Sequence, residues 1–414
     1  MRLLHTADWH LGQTFHQFER GYEHQRFLDW LLETLAAEEI DALLIAGDIF
    51  DNTNPSAVAQ RQLYRFLAAA KQRLPRLDIV IIAGNHDSGG RLEAPVPLLE
   101  GFDITVIGHT TRDPAGAVEL NRLVIPLHDS DGAIAAWCLA IPFLRPGDVP
   151  RVAIDGDPYL QGIKALYQQT VEWAVNRQKP GQAIIALGHC HMTGGQLSEE
   201  SERRILIGGS EALPVSLFDP AMTYVALGHL HRAQRVGGQE RVRYSGSPLP
   251  MSFAEIHYPH QVIRVDLDGG LLREIKPISI PRFVELLRVP AQPAPPNEVL
   301  DQLAALDLAD APLETQPYLE ARVLFNAPES GLRTRIEAAL DGKPVRFARI
   351  ESNYRIETGR PGADNPQSLD ELERLQPDEI FKKLHLQQYG TEPSNDLLEA
   401  FRELLLAPDE EANP

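Results

Sequence analysis

The sequence predicts an α/β protein: a two-sheet sandwich flanked by helices, then a small α+β cap domain and a helical C-terminal tail. Three observations carry that expectation. Over residues 2–107 short apolar runs alternate with stretches of helical period; from residue 122 apolar runs recur without helices between them; and around prolines 290–296 a shorter strand–helix alternation begins.

The elements follow in order. After a strand at 2–6, the segment from Glu19 to Ala37 places Phe27, Leu28, Leu31, Leu32 and Leu35 at helical spacing. Strand 42–46, helix 56–72, strand 79–83, helix 89–99 and strand 104–107 continue a series of βαβ units. Such a series implies a largely parallel sheet, with ligands gathering beyond the carboxyl ends of its strands. Strands at 122–126 and 135–141 have no helix between them, which suggests a second sheet packed on the first. Helix 159–177 leads to the apolar run 183–187, and another run covers 224–227. Residues 262–267 and 271–276 bracket Asp268-Gly269-Gly270 and read as a hairpin.

The proline cluster from Pro290 to Pro296 punctuates the chain. Around it, strand 283–289, helix 297–306, strand 318–324, helix 330–340 and strand 344–350 suffice for the cap. The stretch from Gly359 to Pro366 has few apolar residues and reads as a linker. Beyond it Leu369, Leu372 and Leu375, then Ile380, Phe381 and Leu384, then Leu397, Leu398, Phe401, Leu404 and Leu405 recur at helical spacing. The expected boundaries are 1–280 for the first domain, 281–358 for the cap, 359–367 for the linker and 368–408 for the tail.

At 414 residues the chain is too long for one core, and its 43% hydrophobic content supplies two or more. Two cysteines, Cys138 and Cys190, are too few for a disulfide framework and suit a reducing compartment. With no run of about 20 apolar residues, the expectation is a soluble cytoplasmic protein that does not span a membrane. The net charge of −19 argues against strong intrinsic affinity for nucleic acid. Residues 362–414 hold 13 acidic and 4 basic residues, a balance of −9, so about half of the excess lies in the tail.

Five short motifs close five of the apolar runs: Asp8-Trp9-His10, Gly47-Asp48-Ile49-Phe50-Asp51, Gly84-Asn85-His86-Asp87, Gly188-His189 and Gly228-His229-Leu230-His231. Each supplies oxygen or imidazole donors of the kind that hold metal ions. Singly each is weak, since a turn aspartate is as readily a helix cap and a lone histidine as readily a core or surface residue. Strand ends meeting on one rim of a sheet would bring all five together.

In residue type, order and wording these motifs resemble the calcineurin-like metallophosphoesterase superfamily. With Leu4-His5-Thr6-Ala7 before the first motif, Arg232-Ala233-Gln234 after the last, and Tyr244-Ser245-Gly246-Ser247-Pro248, the likeness extends to the nuclease subunits of bacterial DNA-repair nuclease–ATPase complexes. It is dense to about residue 285 and looser beyond. It implies a metallophosphoesterase sandwich holding two divalent ions, manganese by family habit. Hydrolysis of a phosphodiester needs an activated water and neutralised phosphate oxygens, and two ions about 4 Å apart supply both. A carboxylate must bridge ions so close; Asp48, after a glycine that allows a tight turn, is the best candidate. Carried over by position, Asp8, His10 and His231 resemble ligands of the first ion with Asp48 bridging, and Asn85, His189 and His229 those of the second. His86 resembles the residue that meets phosphate and assists the leaving oxygen. Asp51 and Asp87 are expected to orient ligands, or else to cap turns.

His191 competes with His189, although alignment on the preceding glycine favours His189; Cys190 reads as a buried spacer. Arg203, Arg204, Arg232, Arg235, Arg241 and Arg243 either contact phosphates or are simply solvated. The turn at 244–248 either flanks the metals or only closes the core. The resemblance further implies double- and single-stranded DNA as substrate, cut exonucleolytically at duplex ends and endonucleolytically in hairpins or single strands. It also implies a coiled-coil ATPase partner, gripped by the tail, and a dimer joined to two ATPase subunits. The alternatives are a hydrolase of nucleotides or small phosphodiesters, and a non-catalytic scaffold tethering an ATPase to DNA.

Overall fold

The computed structural model describes residues 1–152, 157–196, 198, 212–325, 329, 331–354 and scattered positions between 381 and 401. The chain divides into two compact units, Met1–Glu285 and Leu286–Pro414. The first unit holds two six-stranded sheets. One runs in the order Leu271–Ser279, Gln261–Asp268, Arg2–Thr6, Ala42–Ala46, Asp78–Ile82, Ile104–Ile107. The other runs Gln234–Val236, Gln239–Tyr244, Tyr224–Gly228, Ala183–His189, Ile134–Ala140, Val124–His128. In the first sheet the four strands from Arg2–Thr6 to Ile104–Ile107 are parallel, and the hairpin joins antiparallel beside Arg2–Thr6. In the second, Gln239–Tyr244, Tyr224–Gly228, Ala183–His189 and Ile134–Ala140 are parallel, with an antiparallel strand at each rim.

The apolar runs are continuous because both faces of the first sheet are covered. Leu3, Leu44, Val80 and Ile82 turn into a core shared with Leu139, Ile184, Ala186, Val225 and Leu227 of the second sheet. Leu4, Leu43, Ile45, Ile79 and Ile81 turn the other way, onto Phe27, Leu28, Leu31 and Leu35 of helix Gly21–Ala37 and Leu63, Phe66 and Leu67 of helix Ala57–Arg73. The two-residue period of a strand produces that division. His5 falls on the inter-sheet face. Its Nδ1 lies 2.9 Å from the Tyr224 hydroxyl and its Nε2 3.1 Å from the Leu227 carbonyl, so it ties the sheets by hydrogen bonds.

Two expectations need correction. The helix expected over 89–99 is two short ones, Gly89–Glu93 and Val96–Leu99, because Pro95 between them has no N–H to continue the ladder. The strand expected to end at 289 is Leu286–Ala294 and carries Pro290 and Pro293 within it. It lies at the edge of the three-stranded sheet Leu286–Ala294, Tyr318–Phe325, Arg346–Tyr354, and its register skips between Val289 and Ala294, the positions where a sheet tolerates proline.

Helices Pro296–Ala304 and Leu332–Ala339 supply Val299, Leu303, Leu332 and Ile336 to the core of this second unit. The linker at 359–367 and most of the tail lie outside the described residues. No helix among the described residues is long and apolar enough to cross a membrane.

Candidate dinuclear metal centre

All five motifs sit at the carboxyl ends of parallel strands, three from the first sheet and two from the second. Main-chain bonds from Asp8 N to Gly47 O (3.0 Å), His10 N to Asp48 O (3.0 Å) and Leu11 N to Ile49 O (2.9 Å) extend the ladder between the first two loops. Where the loops leave it the backbone is strained. Asp8, His10, Asp48 and His229 have φ of 56°, 46°, 49° and 106°. Left-handed conformations of non-glycine residues cost on the order of 1–3 kcal/mol each, and such costs concentrate at functional sites.

The glycines have a related cause. A Cβ on Gly84 would intrude on the carboxylate and amide of Asp48, and one on Gly228 would strike the Ala46 carbonyl. They are small because the strand ends approach so closely, and only Gly47, at φ 91°, also requires glycine's conformational freedom.

Asp8, His10 and His231 bring ligand atoms within 4.8 Å of one another, and so do Asp8, Asp48 and His189. Asp48 reaches both neighbourhoods: its Oδ2 lies 3.3 Å from His189 Nε2 and 3.7 Å from His10 Nε2, while its Oδ1 accepts from His86 N at 2.9 Å. The Asn85 side-chain oxygen stands 3.0 Å from both His189 Nε2 and His229 Nδ1. Asp8 Oδ1 accepts from His229 N at 2.8 Å. Asp8 Oδ2 and His10 Nε2, both buried, have no hydrogen-bond partner. A buried polar atom left unsatisfied is costly and calls for an explanation. A bound cation would satisfy both atoms, and mixed carboxylate, imidazole and amide donors fit divalent transition metals. The cluster is therefore compatible with a dinuclear metal site.

The electrostatics agree. Burial pushes the Asp8 carboxyl up to about 7 despite the pull of His189 and His231. Burial would raise Asp48 too, but the neighbouring His189, His10 and His86 hold it well below the usual carboxylate range. His189 answers in the opposite direction: burial lowers it, yet Asp48 and Asp8 lift it to about 9. His10 and His229 are lowered by burial, His229 to about 3. Asp48 and His189 thus shift each other in opposite directions, as an ion pair does, and metal binding there would require the deprotonated carboxylate and the neutral imidazole.

The remaining residues sort by what they touch. His86 is half-buried; its ring lies 4.9 Å from that of His10, and its Nδ1 is 2.7 Å from the Asp51 carbonyl. Asp51 therefore meets His86 through its main chain and His10 through its carboxylate, 3.5 Å from His10 Nδ1. Asp87, expected beside His86 as an orienter, has a different place. Its buried oxygens accept from the amides of Ile49 (3.1 Å), Phe50 (3.0 Å) and Gly84 (2.9 Å), which buckles the second and third loops together. His189, not His191, stands in the cluster; His191 is half-buried with its ring 6.1 Å from that of His229. Trp9 is structural, its indole N–H on Thr6 and its ring edge-on to Phe27 and Phe66.

The turn at 244–248 lies under the fifth motif: Ser247 N donates to His231 O, and the Tyr244 hydroxyl donates to Cys190 O. Arg235 and Arg243 pair with Glu240, and Arg241 donates to the carbonyls of Phe218, Asp219 and Met222, so these three are engaged within the fold. Arg232 stacks over Tyr258, and Arg203 and Arg204 lie outside the described residues. Sequence reasoning missed Glu255, fully buried with its Oε1 3.1 Å from His231 Nδ1, and the buried pair Arg20–Glu23. Neither lies in a donor motif, and no periodicity marks either.

Residues 1–233 match the family described as calcineurin-like phosphoesterase, and residues 282–389 match the one described as type 5 capsule protein repressor C-terminal domain. The chain is 44% identical over 389 residues to the SbcD subunit of nuclease SbcCD from Rhodobacter capsulatus, covering 92% of this chain and 93% of that one. It is 32% identical over 422 residues to the corresponding subunit of nuclease SbcCD from Escherichia coli K12, with 100% of both covered. To the same subunit from Bacillus subtilis it is 37% identical over 272 residues, 65% of this chain and 67% of the other.

Proposed function

This chain belongs to the calcineurin-like phosphoesterases and, within them, to the SbcD nuclease subunits, and we propose that it hydrolyses DNA phosphodiesters at the dinuclear centre described above. The observation that carries the reading is Asp48, whose single carboxylate reaches both His10 and His189 while Asp8 Oδ2 and His10 Nε2 stand unsatisfied beside it. Asp8, His10 and His231 would hold one ion and Asn85, His189 and His229 the other, with Asp48 between them. The ions, Mn2+ in this proposal, supply an activated water and neutralise the non-bridging oxygens when bound. Water adds to phosphorus, the bond to the leaving oxygen breaks, and that oxygen takes up a proton.

His86 would give that proton as an imidazolium, with a hydrogen on each ring nitrogen. The Asp51 carbonyl can only accept, so a hydrogen on Nδ1 is required there and Nε2 becomes the nitrogen that meets the substrate. Asp51 thereby fixes the ring, and its carboxylate steadies His10. The substrates are duplex ends, cut exonucleolytically, and hairpin or single-stranded DNA, cut endonucleolytically, as part of DNA repair in the cytoplasm.

An SbcC-type coiled-coil ATPase is the partner, in a complex built on a dimer of this chain. The net charge of −19 and the internal engagement of Arg235, Arg241 and Arg243 support a need for DNA affinity supplied from outside. The tail is the grip. In its described part the rings of Phe381 and Phe401 stack at 4.2 Å, while Leu384 and Leu397 stand 55% and 41% exposed, an apolar face of the kind a partner's groove covers.

The test is digestion of end-labelled linear duplex and of single-stranded DNA by the full chain with Mn2+, with and without the ATPase and ATP. Single-strand cleavage by the chain alone and ATP-stimulated degradation of duplex ends by the complex are expected. A chain truncated after Arg360 should keep the first activity and lose the second together with binding to the ATPase. Hydrolysis of bis(p-nitrophenyl) phosphate with no cleavage of either DNA would favour a small-phosphodiester hydrolase instead.

A further inference from the structure

We infer that Glu255 is a positioning residue for His231, and that through it one of the two metal sites is made the tighter. The inference rests on the dinuclear reading above. Glu255 closes the short 3-10 turn Phe253–Glu255 and is fully buried. A carboxylate is rarely buried without a task, because its desolvation must be offset by hydrogen bonds. Here Oε1 stands 3.1 Å from His231 Nδ1, and Oε2 accepts from Met251 N at 2.8 Å. Since a carboxylate accepts, His231 carries its hydrogen on Nδ1 and turns Nε2 to a metal.

The three histidines whose far nitrogen is accounted for differ in what holds it. His231 Nδ1 has the Glu255 carboxylate, and His10 Nδ1 has that of Asp51 at 3.5 Å. His189 Nδ1 has the neutral Ala46 carbonyl, at 2.8 Å. A carboxylate behind a ligating imidazole fixes its tautomer and raises its basicity; removing such a partner typically weakens metal binding by roughly 10- to 100-fold. His10 and His231 belong with Asp8 to one cluster, so both carboxylate-backed imidazoles serve the same ion. The other ion, at His189, rests on the weaker backing of a main-chain carbonyl.

The protein anchors Glu255 from a distance. Arg20 is 1% exposed, and its guanidinium makes a two-point contact with Glu23 at 3.0 and 2.9 Å. It also donates to Gln13 Oε1 at 2.6 Å and to the Pro250 carbonyl at 2.8 Å. Gln13 N in turn donates to His10 O, so one arginine ties the loop of His10 to the segment that carries Glu255. Phe253, two residues before Glu255, packs edge-on against Phe15 at 5.2 Å and completes the support.

The experiment is calorimetric titration of the metal-stripped full chain with Mn2+ alone, in wild type, Glu255→Gln and Glu255→Ala, each checked for native circular dichroism. Wild type should show two binding steps of different affinity. Glu255→Ala should weaken the tighter step by roughly 10- to 100-fold and leave the weaker one within about twofold. Glu255→Gln keeps shape and an acceptor but loses the charge, and should weaken the same step by a smaller factor. Should Glu255→Ala fail to fold, Glu255→Gln decides alone. Two wild-type steps that persist unchanged in Glu255→Gln, or that weaken equally, would overturn this inference and leave the dinuclear reading intact. Fewer than two ions bound by wild type would overturn both.

Discussion

The sharpest test of the centre separates holding metal from moving a proton, and adjacent loops make the separation possible. His86 touches the cluster through its main-chain N–H, which donates to Asp48 Oδ1 at 2.9 Å, a bond that survives any side-chain substitution. Its ring is bound to the Asp51 carbonyl, and His86 is not among the ligands proposed above. His86→Ala should therefore leave two ions bound, with affinities within a few-fold of wild type. Loss of a positioned general acid typically costs 10²- to 10⁴-fold in turnover, equivalent to about 2.7–5.4 kcal/mol of barrier at about 1.36 kcal/mol per decade.

Asp48→Ala is the contrasting change. It removes the one carboxylate among the described residues that lies within 4 Å of both His10 Nε2 and His189 Nε2. Both ions should be lost or greatly weakened, and activity with them. The assay is inductively coupled plasma analysis of desalted protein beside single-turnover cleavage of a labelled oligonucleotide in Mn2+. Finding His86→Ala empty of metal, or Asp48→Ala fully loaded, would refute the division of labour.

Three further outcomes follow from the geometry. Gly228→Ala drives a Cβ into the Ala46 carbonyl and to 2.9 Å from His189 Nδ1, so it should cost about 2–3 kcal/mol, lowering the melting temperature by roughly 5–10 °C, and should weaken Mn2+ binding; an unchanged melt would contradict the close approach of the two sheets. Asp87→Ala orphans three buried amides at about 1–3 kcal/mol each, and urea denaturation should show a loss of several kcal/mol, whereas near-wild-type stability would mean the carboxylate does not buckle the loops. His24 is buried, both its ring nitrogens lack hydrogen-bond partners, and burial lowers it to about 3. Its unfolded form takes up a proton below about 6.5 and its folded form only below about 3, so its contribution to stability is lost as pH falls through that window. His24→Leu should therefore gain on wild type by roughly 2–3 kcal/mol between pH 7 and pH 4.5, and a stability gap independent of pH would exclude the mechanism.

What the sequence determined by itself is a set of candidate metal donors and the frame that brings them together. Metal donors must be particular residue types, and strands buried on both faces must be continuously apolar, so Asp8, His10, Asp48, Asn85, His189, His229 and His231 stand out at the ends of legible runs. The tertiary structure decided how those donors are held. Asp87 sits next to His86 in the chain, yet its carboxylate serves amides 37 and 38 residues away, because which atoms it can reach depends on how the loops stack. Glu255 lies 24 residues beyond His231 in an unremarked turn, and Arg20 reaches Pro250 across 230 residues. The hairpin at 261–279 was readable, but not that it would pair beside the first strand. Pro290 and Pro293 looked like an ending because proline removes a ladder donor, and only their place on an edge strand made them harmless. A residue's chemistry is written in its own side chain, whereas its partners are set by contacts between segments far apart in sequence, and no local pattern records those.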